Sequence, residues 1–245
     1  MLLDEYIPRA IEVLRKVQRT QRDAMLLAAS DITETILRGD CVFIFGCSHA
    51  SILAAEVFYR AGGLALINPI FAHGLTTDVR PITRTTEIER LEGYGRVILD
   101  TSPVQPGDLL IVHSVSGRNA VPVEMAIEAK ARGVRVIALT SVEYASSVPS
   151  RHSSGLRLHE VADIVLDNCG EPGDAIVEVP GLDQRTGPTS DVVGGAILHS
   201  VIAQVIENLI AAGLTPPVFV SANLEGGDEH NERILEEYGD RIHYL

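Results

Sequence analysis

LLIVHSVSGRNAVPVEMAIEAKARGVRVIALTS, Leu109 to Ser141, contains an apolar run, a polar loop, an amphipathic stretch and a second apolar run. Leu109-Leu110-Ile111-Val112 is short, continuous and apolar, which is how a strand buried on both faces reads. After the loop, a helix is predicted with Pro122 in its first turn and Val123, Ala126, Ile127 and Ala131 on one face, stopping at Gly133. Val134 to Leu139 is the next strand. Short buried strands joined by helical crossovers imply a parallel sheet covered on both faces.

The same alternation extends outward. Cys41 to Phe45 reads as a strand, Ile52 to Arg60 as a helix closed by Ala61-Gly62-Gly63, and Leu64 to Ile67 as another strand. Val161 to Leu166 and Ala175 to Val179 are further strand candidates, and Val97-Ile98-Leu99 reads as a short one; residues 69 to 96 lack periodicity. Asp191 to Ala212 is a long helix closed by Gly213, with Pro216-Pro217 beyond. Before the first strand, Ile11, Leu14 and Val17, then Met25, Leu26, Ile32 and Ile36, recur at helical spacing, with Ser30-Asp31 as the N-cap of a second helix. The expected fold is a single α/β domain over 1–245: a helical hairpin (1–38), a doubly wound, mostly parallel five-stranded sheet (39–213) and a C-terminal extension (214–245).

Composition narrows the function. The chain carries 20 Lys+Arg against 33 Asp+Glu, a net charge of −13, which argues against general affinity for nucleic acid or an anionic membrane. An anionic ligand would need local donors. Cys41, Cys47 and Cys169 form no C-x-x-C pair and no disulfide framework, which suits a reducing cytoplasm. The acidic N-terminus lacks the basic region of a signal peptide, and no apolar run approaches roughly 18 residues, so no membrane association is expected.

Loops at the carboxyl ends of parallel strands are where such sheets bind ligands. HSVSGRN, His113 to Asn119, occupies one such loop, and FGCSHAS, Phe45 to Ser51, occupies another; each follows a buried strand, opens a helix and supplies a glycine and two serines. Glycine allows close approach, and hydroxyls beside a helix N-terminus bind phosphate without lysine. A plain turn and N-cap would use the same residues. Two such loops in one sheet favour convergence on a sugar phosphate, through Gly46, Ser48 and Ser51 from one and Ser114, Ser116, Gly117 and Asn119 from the other.

The motifs resemble the sugar isomerase (SIS) family, whose members carry a glycine-serine loop after the first strand and a phosphate-binding S-x-S-G-x-[ST] loop. Here the second motif reads Ser114-Val115-Ser116-Gly117-Arg118-Asn119 and runs on through EAKARGVRVIALTS. Gly187 to Ile206, GPTSDVVGGAILHSVIAQVI, is similar to the polar entry and long final helix of SIS proteins, which adds Thr189 and Ser190 to the substrate-binding candidates. The family's last Ser/Thr is Asn119 here, and its G-x-G-x-S is Gly46-Cys47-Ser48-His49-Ala50. With FYRAGG and SANLEGGDEHN, the whole chain looks most like a group of stand-alone bacterial SIS proteins.

The resemblance implies a flavodoxin-like SIS fold, sugar-phosphate substrates (amino and acetamido sugar phosphates among them) and a homodimer or dimer of dimers. It also implies aldose–ketose isomerisation through an enediol, which needs a base and a ring-opening acid. Glu56 and His49 are the nearest candidates in sequence, and His199 resembles the helix histidine of heptose phosphate isomerases. Asp228-Glu229-His230 reads either as a helix start capped by Asp228 or as a flap bringing Glu229 or His230 to a site. No His/Cys cluster has metal-ligand spacing and no G-x-G-x-x-G follows a strand, so neither a metal nor a dinucleotide cofactor is expected. A phosphosugar-sensing regulator and a sugar-phosphate lyase of the etherase type remain alternatives within the same fold.

Overall fold

A computed structural model describes residues 1–245. Helices α1 (Tyr6–Thr20) and α2 (Arg22–Arg38) form the N-terminal hairpin. Their break falls at Gln21 and not at Ser30-Asp31. Ala28, Ala29 and Ile32 are buried there and Asp31 pairs with Arg135 at 2.7 Å, so one long packed face carries α2 through the polar pair.

β1 (Val42–Gly46) leads to α3 (Ser51–Val57), β2 (Ile67–Ile70), α4 (Thr83–Ile88) and α5 (Tyr94–Asp100). β3 (Leu109–His113), α6 (Ala120–Ala131), β4 (Arg135–Thr140), α7 (Val142–Ser147), α8 (Leu158–Val161) and β5 (Ile164–Asp167) follow. The five strands are all parallel, in the order β2-β1-β3-β4-β5. A short antiparallel pair, β6 (Ala175–Val177) with β7 (Thr186–Pro188), precedes α9 (Ser190–Ala211) and α10 (Gly227–Tyr238).

Several expected boundaries shift. Val97-Ile98-Leu99 is helical within α5, because Glu124 of α6 accepts hydrogen bonds from Gly93 N and Gly95 N at 2.9 and 2.7 Å and fixes the helix start. Val161 ends α8, so β5 begins only at Ile164, and the Ala175 strand lies outside the main sheet. The strand expected at Leu64 starts at Ile67, since Leu64 bridges Val218 instead. α3 stops at Val57, short of Arg60.

Alternate strand residues feed two cores. Ile44, Leu109 and Ile111 pack with α2, α3 and α9, while Phe43, Phe45, Leu110 and Val112 pack with α5 and α6. α9, 22 residues long, is apolar enough by length and composition to cross a membrane. Here it is the central core helix, with Val193, Ile197, Val201 and Val205 buried.

The extension is not a free flap. Val218 makes one bridge rather than a strand, and α10 is capped by Gly226 with Asp228 inside its first turn. Asn231 closes on Val220 N and O at 3.0 Å each, Phe219, Ile234 and Ile242 pack on Ala65, and Arg241 donates to Asp40 O at 2.6 Å. These anchors lie at the amino ends of β1 and β2, opposite the serine loops.

Candidate phosphosugar site

Gly46 and His113 are the last residues of β1 and β3 and stand side by side in register, so the two serine loops leave the sheet together. His113 ties them: its Nδ1–H donates to Ala50 O at 3.0 Å. The ring is fully buried, and burial holds its pKa down at about 4, so it is a neutral imidazole. Sign follows from depression: the unfolded chain takes up a proton below about 6.5 that the fold refuses, so stability is present above that pH and lost as pH falls. The expected loss from His113 is about 2 kcal/mol by pH 5, and His113→Gln should flatten that part of a urea-denaturation pH series. An unchanged slope would refute the assignment.

The second loop is open to an anion. Backbone N–H groups from Ser116 to Ala120 have no carbonyl acceptor within the chain. They lie at the start of the 12-residue α6, where the helix dipole adds positive potential. Gly117 takes φ +57°, and its carbonyl accepts from Leu158 N at 2.8 Å, which fixes the loop against α8. Ser114 is anchored through its N–H to Leu139 O at 3.1 Å, and Ser116 is half-buried beside it.

In the first loop Ser48 also has positive φ; its N–H donates to Leu75 O at 2.6 Å and its hydroxyl accepts from Thr85 Oγ1 at 3.3 Å. Ser51 Oγ turns inward to Ser48 O at 2.6 Å. His49 is exposed near Asp191, whose carboxyl is raised by burial and by Asp174 and partly held down by His49. Thr189 and Ser190 are buried, and Asp174 accepts their backbone N–H groups at 3.1 and 2.9 Å and the Ser190 hydroxyl. The start of α9 is therefore stoppered by a carboxylate, whereas that of α6 is not.

The Asn119 side chain is engaged at both ends within the chain. Its Nδ2 donates to Glu89, and its Oδ1 accepts from Arg151 Nη1 at 2.7 Å. Glu89, just after α4, has a carboxyl raised to about 7 by burial, against the opposing pull of Arg90, Arg151 and Asn119. Glu89 O also accepts Val121 N at 3.0 Å. The segment carrying Thr85 and Glu89 thus lies over both serine loops.

Glu56 and His199 do meet: His199 Nε2 donates to Glu56 Oε1 at 3.0 Å across the exposed side of α3 and α9, with Arg60 also on Glu56. The His199 bond and the Arg60 charge hold the Glu56 carboxyl below its ordinary value, the reverse of the raised carboxylate expected of a base. His230 is elsewhere, bonded to Val218 O at 3.0 Å, with Glu229 beside it in the first turn of α10.

A doubly wound parallel sheet with glycine-serine loops at neighbouring strand ends defines a SIS domain. The chain belongs to that family: the SIS domain matches residues 5–141. Within it the chain belongs with the UPF0309 proteins, being 50% identical over 243 residues to that of Shouchella clausii and 47% to that of Oceanobacillus iheyensis, with 99% of each chain covered. Among solved structures it shares the fold of phosphoheptose isomerase from Neisseria gonorrhoeae (16% identity, TM-score 0.54, 84% of this chain and 97% of that one). It shares it also with the sugar isomerase domain of an RpiR transcription factor from Sphaerobacter thermophilus (18%, TM-score 0.51, 96% and 97%).

Proposed function

We propose that this chain binds a sugar phosphate across its two serine loops and interconverts the aldose and ketose forms through an enediol. The observation that carries this reading is the row of unbonded N–H groups from Ser116 to Ala120 beside Ser114 and Ser116. That row suits an anionic group such as a phosphate. Glu89 is the proton-carrying base, because a half-ionised carboxyl at neutral pH over the loops matches that task. Thr189 and Ser190 support the site through Asp174 rather than by free hydroxyls.

The Glu56–His199 pair serves ring opening, with Glu56 orienting the imidazole. It is framed by exposed Ile52 and Val192, one on each helix face, which a second copy of the chain would cover. A homodimer in the cytoplasm is part of this reading, with His49 at the rim of the site.

A thermal-shift series of phosphorylated sugars against their unphosphorylated partners tests binding. Solvent deuterium entering the two carbons that exchange the carbonyl tests turnover. Ser114→Ala and Ser116→Ala should each weaken sugar-phosphate binding by about 1.5–3 kcal/mol, the scale for hydrogen bonds to charged groups, with little change in melting temperature. Calorimetric affinities equal to wild type would sink the phosphate assignment. Binding without any deuterium entry would make the protein a phosphosugar sensor instead.

A further inference from the structure

We propose that Arg151 is the cation that stabilises the oxyanion of the enediolate, a role that rests on the isomerase reading above. Asn119 brackets it against the base: one end of the amide donates to Glu89 and the other accepts from Arg151 Nη1 at 2.7 Å. Carboxylate and guanidinium are thereby held one amide apart. The Arg151 backbone is fixed as well, its N–H donating to Arg118 O at 2.8 Å.

Arg151 is not alone. Arg118 and Arg90 stand near enough that, after burial, their charges pull the Arg151 guanidinium below its usual value. Arg118 Nε is enclosed without an acceptor. Arg90, Arg118 and Arg151 form no ion pair of their own, and the carboxyl whose charge acts on Arg90 and Arg151 is that of Glu89. Three guanidinium groups gathered about one carboxyl that is itself raised to about 7 leave positive charge in excess there, which a negative charge developing on a ligand would offset. The phosphate has its own donors in the α6 row, so the charge these arginines await is a second one.

The reaction supplies it. Glu89 removes the proton from the carbon next to the aldehyde; that C–H electron pair becomes the carbon–carbon double bond, and the carbonyl pair moves onto oxygen. Arg151 faces that oxygen. The neighbouring hydroxyl proton then passes to the oxyanion, and Glu89 returns its proton to the former aldehyde carbon. A guanidinium fork bonds such an anion with two donors at once.

Two ligands matched except for charge at the reacting end test this: 6-phosphogluconate and sorbitol 6-phosphate, by calorimetry at pH 6, where Glu89 is largely protonated. Wild type is expected to bind the phosphogluconate about 10-fold or more tighter. Arg151→Gln should abolish the preference and leave sorbitol phosphate affinity within about twofold, while Arg151→Lys restores part of it. Arg90→Gln, at an exposed position, should lower the preference by a smaller factor and keeps the test open if Arg151→Gln does not fold. Both ligands bound equally by wild type, or both weakened equally by Arg151→Gln, would overturn the role of Arg151 while the phosphate site stands. Neither ligand bound by wild type would overturn the sugar-phosphate reading and this one with it.

Discussion

Glu89→Gln is expected to lose roughly 10²–10⁴ in turnover while sugar-phosphate affinity stays within about twofold, the signature of a positioned base removed without loss of shape. The amide fits the same space and still accepts from Asn119 Nδ2, so the loops keep their arrangement. What disappears is the group that exchanges a proton at neutral pH. In wild type, kcat/KM should fall as pH drops through about 7, because only the ionised carboxyl abstracts a proton. The variant's residual rate should lack that limb. Stability moves the other way: a carboxyl raised by burial favours the fold below the ordinary carboxylate range, and that contribution is lost as pH rises through about 7. The variant should therefore be no less stable than wild type at pH 8. Solvent-deuterium incorporation decides between the two carboxylates. If Glu56→Gln abolishes it and Glu89→Gln does not, the base is Glu56 and the pair with His199 is the reacting centre.

The sheet was legible because its signals are local. Buried strands such as Leu109–Val112 are continuous apolar runs, and Pro122 and Gly133 mark the helix between them. The two serine loops were legible for the same reason, since strand end, glycine and helix start are adjacent in sequence. Glu89 was not. It sits in the aperiodic stretch before β3, its carboxyl is raised by burial in the folded chain, and the groups that oppose that rise, Asn119 and Arg151 among them, lie far along the sequence. His113 carried a readable sign, a polar residue closing an otherwise apolar strand, but its partner Ala50 O belongs to another loop. The flap expected around His230 failed on tertiary packing: Asn231 and Ile234 fasten that segment to the amino end of the sheet. Helical spacing did leave Glu56 and His199 on outward faces of their helices, and only the packing of α3 on α9 makes them a pair.

Gly46→Ala tests the locked junction of the two loops. Gly46 closes β1 beside His113, and a Cβ placed there would lie 2.3 Å from Ala50 O and 2.5 Å from the carbonyl carbon. The obstacle is backbone, not a flexible side chain. Nor is that carbonyl free to rotate, since it accepts the buried His113 Nδ1–H at 3.0 Å, and moving it would leave a buried donor unpaired. Overpacking and the lost hydrogen bond together should cost about 3 kcal/mol, or roughly 6–12 °C in melting temperature for a domain of this length. The effect on binding should be selective. The α6 N–H row from Ser116 to Ala120 makes no backbone hydrogen bond to the first loop, so inorganic phosphate should bind nearly as before, while sugar phosphates, which need both loops, should bind at least about 10-fold more weakly. A wild-type melting temperature would show that the first loop yields to a methyl group. Equal weakening of phosphate and sugar phosphate would show that the two loops do not divide the ligand between them.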